Sequence, residues 1–171
     1  MAEPSAPGGF KAIEAYVLKE DLDKLRGAYK PEEMSSILTT TLPDVYHASK
    51  GYIEAITHRF FGKLPPEAPR PGQPRKELSA EDRERCIVAL LASRGEGFTL
   101  AVHIYMALMA GVSPQEIANI ILLAGIYSGV SNFTDGLLTE VKTLGTLASV
   151  AKDGANFGAA AVFGALQKAF N

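Results

Sequence analysis

Three side chains in the second half of this 171-residue chain have the chemistry of proton transfer and fall near one another: Glu84, Glu96 and His103. Histidine gains and loses a proton near neutral pH more readily than any other unperturbed side chain. His103 stands among Phe98, Leu100, Val102, Ile104, Tyr105 and Met106, a run apolar on nearly every side of a helix. A polar ring placed there must find a hydrogen-bond partner or bear a desolvation cost. The plainer alternative is a structural core histidine. Glu84 lies one turn before Ile87 and Val88 and two turns before Leu91, so it continues an apolar stripe inward. A carboxylate on that stripe must meet a proton donor. An ordinary salt bridge to an arginine would also satisfy it. Its flanks, Arg83 and Arg85, are expected to point away from the stripe into solvent. Glu96 occupies the Gly95-Glu96-Gly97 turn ahead of the histidine run, where a negative charge also serves as a routine helix-terminus stabiliser. Tyr127 closes an apolar helix and either lines a pocket with its phenol or joins the core.

Other chemistries find no residues to carry them. His47, His58 and His103 are scattered without zinc-ligand spacing. There is no phosphate-cradling glycine loop and no nucleophile-elbow serine, so neither metal nor cofactor is expected. Cys86 is the single cysteine, which excludes an internal disulfide framework and suits a reducing, cytoplasmic setting. The net charge of −2 provides no basic field, so nucleic acid is not an expected partner. Two uncharged stretches, 97–115 and 117–134, are interrupted by His103, Pro114, Asn119 and Asn132, and they read as buried core helices rather than membrane spans.

These residues need helices to position them, and the chain supplies helical periodicity throughout with no strand pattern. Residues 1–9 are Pro/Gly/Ala-rich and read as a disordered terminus. An N-terminal helical cap is expected over 10–63. It begins with a helix from Phe10 to about Arg26 that turns Ile13, Tyr16, Val17 and Leu25 inward. A short helix opens at Pro31, and another runs from Pro43 to about Phe61. Pro65, Pro66, Pro69, Pro71 and Pro74 make 64–78 an extended linker, since proline lacks the amide proton a helix needs. The core is expected over 79–171. Ser79 caps a helix that Gly95 ends, and the next runs from about Phe98 to Ala110 before Gly111. Ser113-Pro114-Gln115-Glu116 is a capping-box start, with the Glu116 side chain expected to return to the Ser113 amide. A long helix over about 132–152 buries Phe133, Leu137, Val141, Leu144 and Ala148. In the last helix, Gly154, Gly158, Ala161 and Ala165 form a small-residue stripe suited to close packing in the core or between subunits.

The spacing of His103, Gly111, Val112-Ser113-Pro114-Gln115-Glu116-Ile117 and Tyr127-Ser128-Gly129 resembles the carboxymuconolactone decarboxylase family. That family shows a helical histidine, a glycine break, a V-S/T-x-x-E-I helix start and a closing Y-x-G. The stretch Leu78 to Glu84 is similar to the family's preceding helix start, and the likeness runs to about Leu138, roughly a third of the chain. It implies an all-α, multi-helix bundle, here with an N-terminal helical extension, assembled as a homotrimer or homohexamer. The related alkylhydroperoxidase D-like branch carries a C-x-x-C pair before the histidine. Glu96 and Thr99 stand at those two positions here, so dithiol peroxidase chemistry is not expected. In the decarboxylase branch an acidic residue often precedes the histidine closely. Thr99 occupies that place, with Glu96 one turn earlier.

The expected activity is therefore cofactor-independent proton transfer on a small organic acid or lactone. His103 would be the donor, Glu84 and Glu96 its acidic partners, and Thr99 and Tyr127 substrate-binding residues. A non-catalytic, ligand-binding member of the same fold is the alternative. One geometric expectation follows. Glu84 and His103 lie on consecutive helices joined by a short turn and should touch, because each is the other's nearest suitable partner.

Overall fold

The computed structural model describes residues 11–31, 33, 37, 78–154 and 158–171, and among these the chain is all-helical with no strand. The helix expected to continue past Pro31, the one over 43–61 and nearly all of the proline-rich segment lie outside the described residues, as do His47 and His58.

The N-terminal segment differs from the single helix expected there. Lys11–Tyr16 forms a 3-10 helix, and helix α1 starts anew at Lys19 and runs to Ala28. Between them Leu18 is extended (φ −74°, ψ 147°), with no side-chain cap. The break accommodates burial: Ile13 and Val17 before it and Leu22 and Leu25 after it all reach the core, whereas Tyr16 is left exposed. A straight α-helix cannot turn all four inward and also follow the curved surface of a bundle.

Helix α2 spans Ala80–Arg94, and its start is built as its sequence dictates: the Ser79 hydroxyl accepts from the Asp82 amide at 3.0 Å. Gly95 ends it with φ 71°, a conformation that costs a residue with a β-carbon. Helix α3 follows at once over Gly97–Ala110 and is closed by Gly111 at φ 110°. Helix α4 spans Pro114–Ser128, with Ser113 accepting from the Glu116 amide at 3.2 Å. Only half of the expected capping box forms. The Glu116 carboxylate instead takes a 2.8 Å hydrogen bond from Arg85 Nε, tying α4 to α2. A full guanidinium charge from a neighbouring helix outcompetes a neutral amide.

Helix α5, Val130–Lys152, runs along the other helices, and α6, Ala159–Phe170, lies against α5 and α3. Two glycines set the approach of α5. A β-carbon on Gly125 would stand 2.3 Å from Phe133 Cβ, and one on Gly136 2.8 Å from an Ile121 methyl and 3.7 Å from Ala92. The ridge that reaches deepest is therefore Gly136, Glu140, Thr143, Leu147 and Ala151, together with Leu144 and Ala148. Phe133, Leu137 and Val141, expected on the inner stripe, are half-buried at its edge. The tail differs in the same manner. Gly154 and Gly158 lie before α6, and the face it buries carries Ala159, Val162, Phe163 and Leu166 rather than the small-residue stripe. Phe163 meets Phe98 edge-on at 5.4 Å, which fixes α6 against the start of α3.

No helix among the described residues is long and apolar enough to cross a membrane.

Candidate active site

Helices α2 and α3 are joined only through Gly95 and Glu96, so they fold back on one another as an antiparallel pair. The second turn of α2 faces the middle of α3, and there the two expected partners meet. His103 Nδ1 donates to Glu84 Oε2 at 2.8 Å. A carboxylate only accepts, so the proton of this bond belongs to the ring nitrogen. In the neutral ring Nε2 is then the bare nitrogen, and in the charged ring it is a second N–H.

Burial distinguishes the two partners. The Glu84 side chain is 2% exposed, and that of His103 is 22% exposed. The carboxylate is thus enclosed and the imidazole keeps an edge toward solvent. At this length, and with little water to compete, the bond is of the stronger, charge-assisted kind. It fixes both the tautomer and the plane of the ring.

The remaining carboxylate oxygen is not idle. Arg83 Nε lies 3.5 Å from Glu84 Oε1, and the Arg83 side chain is 23% exposed. Arg83 was expected in solvent. Its long stem instead lies along the helix so that the head comes beside the inward-facing carboxylate. Arg85 also departs from expectation. It pairs with Glu116 at 2.8 Å, Asp82 at 2.9 Å and Glu81 at 3.4 Å, and so acts as a brace between α2 and α4. Sequence periodicity places Cβ atoms, and for a side chain with four rotatable bonds that leaves the head unplaced.

The other candidates are distributed differently. Thr99 is exposed, one turn before His103 on the same ridge. Helical side chains tilt toward the N-terminus, so the imidazole lies over the turn that carries Thr99. Glu96 is two turns before His103, on the order of 10 Å along the axis, and does not reach the ring. It is 41% exposed and pairs with Arg94 at 3.6 Å. It stands at the start of α3, where its negative charge faces the positive end of the helix. Tyr127 is 86% exposed in the last turn of α4. The burial of Gly125 against Phe133 presents the opposite side of that turn, with Ile126 and Tyr127, to solvent.

Tyr105 and Glu140 are among the buried polar groups that escaped sequence reasoning. Tyr105 is fully buried with its hydroxyl unpartnered, edge-on to Tyr29 at 5.6 Å, and burial pushes its phenol well above the usual range. Glu140 on α5 is 0% exposed, and neither carboxylate oxygen has a partner. Burial alone raises its pKa to about 8. Among the described residues, no group of three or more His, Cys, Asp or Glu side chains is arranged to hold a metal ion.

Residues 72–139 match the model of the carboxymuconolactone decarboxylase family, a span that contains both Glu84 and His103. No curated protein and no solved structure matches the chain.

Proposed function

We propose that this chain, which through residues 72–139 belongs to the carboxymuconolactone decarboxylase family, is a cofactor-independent enzyme acting on a small organic acid or lactone with His103 as its proton donor. The observation that carries the reading is the 2.8 Å bond from a partly exposed imidazole to an enclosed carboxylate. A histidine held merely as core filler needs no open edge. A histidine that exchanges protons with a bound molecule needs one nitrogen anchored and the other accessible, and this arrangement provides both.

In decarboxylation the bond between carbon and the departing carboxylate breaks. Its electron pair enters a conjugated carbonyl to give an enolate, and carbon dioxide leaves. The enolate collapses when carbon takes a proton. The charged His103 ring is suited to both demands: its Nε2–H stabilises the enolate and then delivers the proton to carbon. Glu84 stabilises the charged ring and holds it in line, and water returns the proton afterwards. Thr99, exposed one turn before His103 on α3, would contact the substrate.

The test is carbon dioxide release from a panel of carboxylated lactones and 3-keto acids. The intact chain is expected to turn over at least one of them, and His103→Ala to lose that activity while keeping its helical circular dichroism and its size. Undiminished turnover in His103→Ala would remove the histidine from the mechanism, and an inactive parent chain across the panel would favour the ligand-binding alternative.

The same reading includes a homotrimer or homohexamer. Leu90, Leu123, Ile126, Tyr127, Val130 and Leu138 are large apolar side chains left exposed on a single subunit, and two of them, Ile126 and Tyr127, lie in the last turn of α4. Apolar surface of this kind favours association. Light scattering at micromolar concentration is expected to give the mass of three or six chains, and a monomer would reject the assembly.

A further inference from the structure

We propose that Ile87 and Leu90 form an apolar seat beside His103 for the hydrocarbon portion of the substrate, an assignment that rests on the acid–base reading of the Glu84–His103 pair.

The argument starts from the register of the helix pair. Helices α2 and α3 reverse through Gly95 and Glu96, so residues equally far from that turn stand level with one another. Val88 lies seven residues before Gly95, and His103 lies seven residues after Glu96. The same register holds at the far end of the pair, where a β-carbon on Gly111 would stand 3.4 Å from the Glu81 carboxylate. His103 is therefore level with the stretch of α2 around Val88.

Three residues along an α-helix fall about 60° short of a full turn and advance about 4.5 Å. Glu84, Ile87 and Leu90 are such a series. Each step carries the side chain farther out from the core, and exposure follows: Glu84 is 2% exposed, Ile87 is half-buried and Leu90 is 57% exposed. Arg85, which reaches Glu116 on α4, leaves α2 on the other side of Glu84. The series thus climbs from the enclosed carboxylate to solvent along the flank of α2 away from α4. Val88 and Leu91, at the same level, are committed to the core.

A molecule that takes a proton from His103 Nε2 lies against whatever bounds the open edge of the ring on the α2 side. Ile87 and Leu90 bound it, and they offer neither charge nor a hydrogen-bonding group. Arg83, one turn before Ile87, is turned back on Glu84, and Arg94, one turn after Leu90, pairs with Glu96. Between these engaged charges, apolar contact is what the α2 flank has to give a ligand. The substrate class is then a lactone or acid that carries an alkyl substituent, with that chain along Ile87 and Leu90 and its reacting carbon at His103. Such a seat selects by hydrocarbon length.

The test uses the full chain and three uncharged lactones that differ only in the alkyl group on the ring: γ-butyrolactone, γ-valerolactone and γ-octalactone. Binding is followed through the His103 ring resonances. Affinity is expected to rise about two- to fourfold per methylene, or about 10–60-fold from γ-valerolactone to γ-octalactone. Leu90→Ser, at an exposed position where the fold loses little, should cut that gain to about threefold or less, and Leu90→Met should keep it. Ile87→Ala, with its helical circular dichroism intact, should cut it likewise, while γ-butyrolactone affinity stays within about twofold of the parent in all three. Leu123→Ser, on α4, should leave the gain unchanged. A gain that persists in both Leu90→Ser and Ile87→Ala overturns the seat, as does a gain lost equally in Leu123→Ser. A parent ring that responds equally to γ-butyrolactone and γ-octalactone overturns the seat and leaves the acid–base reading standing. A parent ring that no lactone perturbs removes both.

Discussion

Replacing Glu140 with leucine is expected to raise the melting temperature at pH 8.5 by about 5–10 °C, the equivalent of a few kcal/mol for a chain of this length. Glu140 is wholly buried without a partner for either oxygen, and burial lifts its pKa from 4.5 to about 8. In the unfolded chain the group ionises near its ordinary value, while in the folded chain it keeps its proton. Between roughly pH 4.5 and pH 8 the unfolded state therefore binds fewer protons. Stability falls as pH rises, by about 1.4 kcal/mol per unit at most, and levels off once the folded group also ionises. The stabilisation is complete below the unfolded pKa and gone above the folded one. Leucine fills a similar volume and removes both the ionisation and the buried polar atoms. Thermal unfolding from pH 5 to pH 9 should show a declining profile for the parent and a flatter one for Glu140→Leu. Parallel profiles for the two would show that Glu140 does not govern this dependence.

Turnover is the second large expected effect. Glu84→Gln should lower kcat about 10²-fold and Glu84→Ala about 10³-fold or more, within the range that positioned acid–base groups supply. Glutamine keeps a carbonyl that can accept from His103 Nδ1 and so preserves the tautomer, but it offers no charge to the protonated ring. Alanine removes the anchor as well. KM should change little in either, because Glu84 faces the ring and not the ligand. Circular dichroism and light scattering serve as controls for folding. Parent-like kcat in Glu84→Ala, with the protein intact, would leave the carboxylate without a part in the reaction.

The legible part of this molecule followed from periodicity and punctuation. Ser79, Gly95, Gly111 and Ser113 mark their helix ends because each satisfies a backbone requirement that only a few residue types can meet. The Glu84–His103 contact was legible for a related reason: two polar groups on apolar faces of consecutive helices had to satisfy each other. What stayed hidden depends on the neighbours. Arg83 and Arg85 share composition and spacing, yet one bends to the site and the other braces α4, a choice made by where Glu84 and Glu116 lie in space. Glu140 was hidden because the inner stripe of α5 was sought among apolar residues alone. Gly136 draws α5 against Ile121 and Ala92, and that rotates the helix so that a glutamate one turn later is swept into the centre. The exposure of Tyr127 was hidden because an apolar helix does not disclose which side of its last turn the bundle covers.

The reach of Arg26 bears on which parts of the chain can stand alone. Its Nε donates to the Leu108 carbonyl at 2.8 Å, a second partner beside the Gly111 amide near the C-terminal end of the histidine helix, from a residue 82 positions away. Tyr29, three residues later, lies edge-on against the buried Tyr105 of that same helix. The stretch that matches the family model carries Glu84 and His103, but it does not carry these supports. A fragment begun at Leu78 would forfeit the Arg26 bond to Leu108 and the edge-on ring contact that covers Tyr105. The N-terminal helix is thus a structural support of the histidine helix rather than an accessory beside it. Attempts to shorten this protein, or to graft its histidine helix into another scaffold, have to bring Arg26 and Tyr29 along.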